Sequence, residues 1–268
     1  RGIGVTVIGV TGSVMALQLT GALQLLESAM LDCWFRLRPL ESGDSRIVIV
    51  TINESDISRL RRWPMSDATL AQLLEKLKQH QPKAIGLDLY RNLPVEPGYQ
   101  ELLKVFANAP NLIGIKKAVS DASGPAVDPP PVLREQNQVA ASDLVMDSDG
   151  KVRRHLLSVR DREGKTNLSL GTKLALTYLE TYNIRLQRGS KDNTLKLGKA
   201  KFIPLQENEG GYVRADVGGY QILSNFHRLR QGISKISITD VLENRIPANL
   251  IKGRIVLIGS TAESVGDR

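Results

Sequence analysis

The sequence is poor in the residues that most site chemistry uses. It has one cysteine, Cys33, in 268 residues. No disulfide and no cysteine-rich metal site can form within one chain. It has three histidines, His80, His155 and His227. None stands in a His-Glu-x-x-His or Cys-His arrangement, which argues against catalytic zinc. Aromatic residues make up 4%, and no basic helix interleaves with them, which argues against nucleic acid as a partner. A nucleophile elbow is missing, because Gly259-Ser260-Thr261 lacks the second glycine. Gly9 and Gly12 flank Val10, but neither a P-loop lysine nor the third glycine of a dinucleotide loop accompanies them. No metal and no cofactor is expected. The formal charge is +8, from 36 basic and 28 acidic residues. That balance suits an anionic partner or membrane surface, although the basic residues are scattered among acids as on an ordinary solvated face.

What the sequence does have is a long uncharged opening. Gly2 to Leu26 carries no ionisable side chain and is bounded by Arg1 and Glu27. As a helix it would run roughly 37 Å, enough to cross a hydrocarbon core of about 30 Å with tilt. Gly2, Gly4, Gly9, Gly12, Gly21, Gln18 and Gln24 interrupt it. Such residues weaken a soluble helix and are tolerated in a spanning one. Gly9 with Ser13, and Gly12 with Ala16 and Thr20, form small-residue stripes at spacing four. That spacing lets two helix backbones approach closely in lipid and points to a homodimer. A cleaved signal peptide and a buried helix of a soluble protein compete, but no small-x-small site follows the run. An apolar stripe continues through Leu25, Leu26, Ala29, Met30, Cys33 and Trp34, and Pro39 should end it. The expectation is one stiff transmembrane and juxtamembrane rod over residues 1–39. In it Cys33 is read as packed, against the alternatives of a bridge between two copies or a lipid anchor, and Trp34 and Phe35 suit the membrane interface.

Residues 40–268 read as one α/β domain. Ser42, Gly43 and Asp44 make a turn. Arg46 to Asn53, Ala84 to Leu89, Asn111 to Ile115 and Arg254 to Gly259 are near-continuous apolar runs of buried strands. Between the first two lies a loop with Arg59, Arg61, Arg62, Trp63 and Pro64. A helix follows, capped by Ser66, with Leu70, Leu73, Leu74 and Leu77 on one face and Pro82 beyond its end. Tyr99, Leu102, Leu103 and Phe106 mark another helical face. Strand, helix, strand, helix, strand predicts a parallel sheet with crossover helices. Ser120 to Pro131 reads as an exposed loop and Val152 to Arg160 as a strand. Leu168 to Tyr182 reads as a helix with Leu170, Leu174, Ala175 and Tyr178 inward. Ile184 to Tyr220 reads as a meander, and Thr239 as the cap of a short helix through Val241 and Leu242. The predicted architecture is a mixed, largely parallel sheet flanked by helices, preceded by the long transmembrane helix.

Two stretches invite a chemical reading. Asp147-Ser-Asp149-Gly150 resembles the start of a calcium loop. The twelfth position, however, is Ser158 rather than glutamate, and Lys151, Arg153 and Arg154 have the wrong sign. A hairpin turn accounts for it. Asp88 stands at the carboxyl end of a buried strand, where ligands of open α/β sheets gather. Arg91 follows, and the loop with Arg62 and Trp63 should emerge at the same edge. A carboxylate, guanidinium forks and an indole can receive a small polar ligand. The competing reading makes Asp88 an internal ion-pair partner and lets Trp63-Pro64 pack its loop.

Several motifs in order carry a resemblance: Phe35-Arg-Leu-Arg-Pro39, Ile47 to Ile52, Arg62-Trp63-Pro64, Ile85-Gly-Leu-Asp88, Asp147-Ser-Asp-Gly-Lys-Val-Arg153, Ser169-Leu170, and Ile255-Val-Leu-Ile-Gly259 with Thr261-Ala262 and Asp267. Over residues 30–268 the chain resembles the type-two CHASE sensory domain of bacterial receptors, abundant in cyanobacteria. The resemblance implies an extracytoplasmic sensor at the plasma membrane. It would respond to an unidentified small-molecule or ionic signal and act on a cytoplasmic effector such as a nucleotide cyclase or protein kinase. It supplies no catalytic residues. The chain departs from the family pattern at Asn53, where an acid is usual, at Arg61, where glycine is usual, and at Met65, where a second tryptophan is usual. The alternatives are a periplasmic enzyme acting on an anionic substrate through Asp88 and the arginines, and a membrane oligomerisation domain that binds no small molecule.

Overall fold

The computed structural model describes residues 2–121, 124–189, 193–247 and 249–265. The opening stretch is two helices, α1 (Gly2–Leu19) and α2 (Gln24–Leu37), not one rod. They meet at 87°, and among the described residues no single helix is long and apolar enough to cross a membrane, whereas the bent pair is so by length and composition. The break follows from Gly21, which adopts φ 79. The Gly21 N–H donates to Gln18 O and the Ala22 N–H to Leu17 O, at 3.0 and 3.1 Å. These two bonds are the Schellman closure of a helix, whose left-handed position favours glycine. Gly21 is a stop signal, where the sequence suggested only a tolerated interruption. Cys33 is exposed on α2, against the expectation that it packs.

After β1 (Leu40–Glu41) come β2 (Ile47–Ile52), α3 (Glu54–Leu60), α4 (Asp67–Gln79), β3 (Ala84–Leu87), α5 (Tyr99–Ala107) and β4 (Leu112–Lys116). Next are α6 (Pro131–Glu135), β5 (Val139–Ala141), β6 (Arg154–Arg160), β7 (Thr166–Leu168), α7 (Leu170–Glu180) and the meander β8 (Leu186–Arg188), β9 (Leu195–Leu197) and β10 (Ala200–Phe202). The chain then runs through β11 (Tyr220–Leu223), β12 (Arg228–Leu229), β13 (Ser234–Ser237), α8 (Ile238–Leu242) and β14 (Ile255–Ser260). The principal sheet has six strands in the order β13-β2-β14-β3-β4-β5. Every pair in it is parallel. The last strand, β14, is threaded between β2 and β3. A separate antiparallel sheet, β11-β6-β7, stands beside it.

The main core lies on one face of the six-stranded sheet. Leu70, Leu73, Leu74 and Leu77 of α4 are fully buried there with Phe106 of α5, Leu133 and Val241. Ser66 caps α4 as predicted, accepting from the Thr69 N–H. The opposite face carries α7, whose Leu174 packs with Ala84, Ile113 and Ala140. The loop predicted after β2 is partly helical. Asn53 and Asp56 form a reciprocal capping box on α3, so Arg59 lies in a helix. The proline-rich loop ends in a helix too, with Pro131 at the first position of α6, where its missing N–H costs nothing. Ser237, not Thr239, caps α8. The Thr239 hydroxyl instead donates to the Asp56 carboxylate. Asp267 lies outside the described residues.

Candidate functional site

The carboxyl ends of β2, β14 and β3 lie side by side. Asp88 follows β3 directly. Its N–H donates to Ile258 O at 2.8 Å and its side chain is exposed. Gly259 sits against it, and a Cβ there would lie 3.7 Å from the Asp88 Cβ. Arg61 closes α3 in the left-handed region at φ 52. Arg62 is exposed. Trp63 is half-buried and packs on the main core beside the fully buried Met65. Arg91 is withdrawn from solvent, with its side chain 2% exposed and the Asp67 carboxylate 3.7 Å away. Burial holds the Arg91 guanidinium below its ordinary pKa, and Asp67 opposes that shift. Nε and Nη1 of Arg91 and Oδ1 of Asp67 are buried without a hydrogen-bond partner. Of the four predicted residues, Arg62 and Asp88 are exposed, Trp63 packs its loop, and Arg91 pairs with the first residue of α4.

A second assembly was legible only in part, through the Asp147-x-Asp149 turn. That turn is a hairpin turn, and its carboxylates are filled by the following cations rather than by a metal. Arg153 Nε and Nη2 donate to the two oxygens of Asp32 on α2, at 2.7 and 2.9 Å. The same guanidinium donates to Asp147 at 2.9 Å and to Asp149 at 2.6 Å. Lys151 adds a bond to Asp32 at 2.6 Å. Arg154 and the Tyr212 hydroxyl both donate to Asp147. Hydrogen bonds from Arg153, then Lys151, hold Asp32 well below the usual carboxylate range. The bond from Arg153 brings Asp149 down to about 2. Burial, then the bond to Asp147, pushes Tyr212 up to about 12.

The rest of α2 is fastened along the same side. The Val213 N–H donates to the Gln24 side chain, and Glu27 lies against Gly211. Phe35 meets Phe226 edge to face at 5.8 Å. Arg38 donates to Asn225 and to Phe226 O. His227 stands 2.8 Å from Glu41. Nothing in the sequence pairs these residues, because their partners are more than a hundred positions away.

A groove of about 560 Å³ opens elsewhere, between the ends of β4 and β5, the β6–β7 turn and α7. Six basic and three acidic side chains line it. Lys116 pairs with Asp161 at 3.0 Å. Hydrogen bonds from Asn167 and Lys116 bring Asp161 down to about 2.

Fold and contacts together define an α/β module on a parallel sheet, fastened along one side to its own N-terminal helix. The chain belongs to the CHASE2 domain family, which matches residues 6–268. CHASE2 domains are extracytoplasmic sensory domains of membrane receptors, and a sensory role follows from that membership. No curated protein and no solved structure matches the chain.

Proposed function

We propose that the chain is the signal-input domain of a plasma-membrane receptor, with α1 embedded in the bilayer and residues 40–268 outside the cytoplasm. One observation carries this reading. The large apolar side chains of α1 have no cover: Ile3, Ile8 and Leu19 are 85%, 75% and 74% exposed. A helix that is apolar all round suits lipid, not water. At 18 residues it is roughly 27 Å long, short of a full crossing of about 30 Å, so it is embedded in the bilayer rather than a complete span by itself. The 87° bend then lays α2 against the domain, and α2 is a mechanical link between domain and membrane.

In this reading the chain performs no catalysis of its own. A small polar or ionic ligand biases two arrangements of the domain, and of the predicted set Arg62 and Asp88 are the residues exposed to receive it. It must bind the two unequally to transmit anything. The stripes Gly9–Ser13 and Gly12–Ala16–Thr20 pair two copies of α1 in a homodimer, and the attached effector is a nucleotide cyclase or a protein kinase. Alkaline carbonate washing of membranes from expressing cells tests the anchor. The chain should stay in the pellet, and deletion of residues 2–19 should release it. Recovery of the undeleted chain in the supernatant would overturn the reading.

A further inference from the structure

The groove beside β5 is built from charges that do not cancel. Asp161 is engaged by Lys116, and Asp128 by Arg134 at 3.2 Å. Lys173 meets no carboxylate among the described residues. Its ammonium donates to two backbone carbonyls, Asn137 O and Val139 O. Burial, then repulsion from Lys165, lowers the pKa of Lys173. Lys165 itself makes no side-chain ion pair among the described residues. Arg162 donates to the Ser120 hydroxyl and likewise has no carboxylate partner among the described residues, so three cations line one groove with only Glu163 left among its acids to offset them. An anion between them would relieve that repulsion in a partly desolvated setting, where each charge-assisted bond is stronger than in water.

We propose that this groove is an oxyanion site for a small free di- or trianion, a phosphate or a polycarboxylate, held between Lys165 and Lys173 with Lys116 and Arg134 on its walls. The proposal rests on the sensory reading and adds to it a second ligand position, distinct from the edge at Asp88. The groove's position gives it a route to the membrane side. The seven-residue strand β6 has the groove's Asp161 and Arg162 after one end. It has the Asp32-gripping Arg153 before the other, at a strand length of roughly 23 Å.

The test uses the whole chain in detergent, so it does not depend on α1 lying in a bilayer. Thermal unfolding is followed with phosphate, pyrophosphate and citrate against sodium chloride at equal ionic strength, and calorimetry gives the Kd. At least one oxyanion should raise the midpoint of the unaltered chain by several degrees beyond chloride. Lys165→Gln, at an exposed position, should weaken binding about tenfold, Lys165→Arg should restore it, and Lys201→Gln, which removes an exposed cation outside the groove, should leave it unchanged. No oxyanion effect beyond chloride, an effect untouched by Lys165→Gln, or one abolished by Lys201→Gln would each overturn the site. Such a failure leaves the carbonate result standing, so the two readings fail separately.

Discussion

Asp32 and Arg153 are 121 positions apart in the chain, yet two guanidinium nitrogens close on both oxygens of one carboxylate. The geometry is a fork on a fork, which an ammonium cannot reproduce. Arg153 is 4% exposed, and its removal takes both forked bonds from Asp32, which is 17% exposed, and one donor from the buried Asp147, which Arg154 and Tyr212 still hold. Breaking a buried pair on one side costs more than the pair contributes. Arg153→Ala should lower stability by about 3 kcal/mol in urea titration, and Arg153→Lys should recover only a minor part. The same residues set the acid response. Asp32, Asp149 and Asp161 have folded pKa values below their ordinary value of 3.8. Their contribution is complete above pH ~4 and is lost as pH falls toward their folded values. Burial lowers His155 from 6.5. The unfolded chain takes up that proton first, so stability declines as pH drops below about 6.5. A midpoint-against-pH curve should show both limbs, and His155→Gln should remove the upper one alone.

At the scale of elements, legibility follows how local the signal is. The runs of β2, β3, β4 and β14 and the leucine face of α4 are written within a few residues each, and the structure has them. The capping role of Ser66 is equally local. What escaped depends on backbone conformation or distant partners. Gly21 reads the same whether tolerated inside a span or closing a helix, and only its left-handed φ of 79 decides. The short α3 carries no periodic face long enough to detect. Its ends explain two departures from the family pattern. Asn53 caps as well as an acid would. Arg61 occupies a left-handed position at φ 52 that suits glycine. Arg61→Gly should therefore stabilise the domain by about 0.5–1 kcal/mol, seen as a higher denaturation midpoint. At Met65 a thioether fills core space, with 1% exposure. The predicted ligand set divided for a similar reason. Sequence order placed Arg91 near Asp88, but Asp67 at the start of α4 claims it.

For the whole molecule, the order β13-β2-β14-β3-β4-β5 draws strands from both ends of the domain into the middle of one sheet. No periodicity announces that threading, although a parallel sheet was foreseeable from the alternation of elements. The consequence is a body that holds α2 by Gln24, Asp32 and Phe35, and its C-cap by Arg38, while α1 leaves at 87° with its apolar surface bare. Two helices separated by four residues should therefore have opposite surroundings. Electron paramagnetic resonance on the chain in liposomes reads this directly. A nitroxide is placed either on Cys33 or, in a Cys33→Ser background, on Val10→Cys. The label at position 10 should be relaxed by oxygen and shielded from a water-soluble nickel chelate, and the label at position 33 should show the reverse. Equal access of the nickel chelate to both positions would contradict the account.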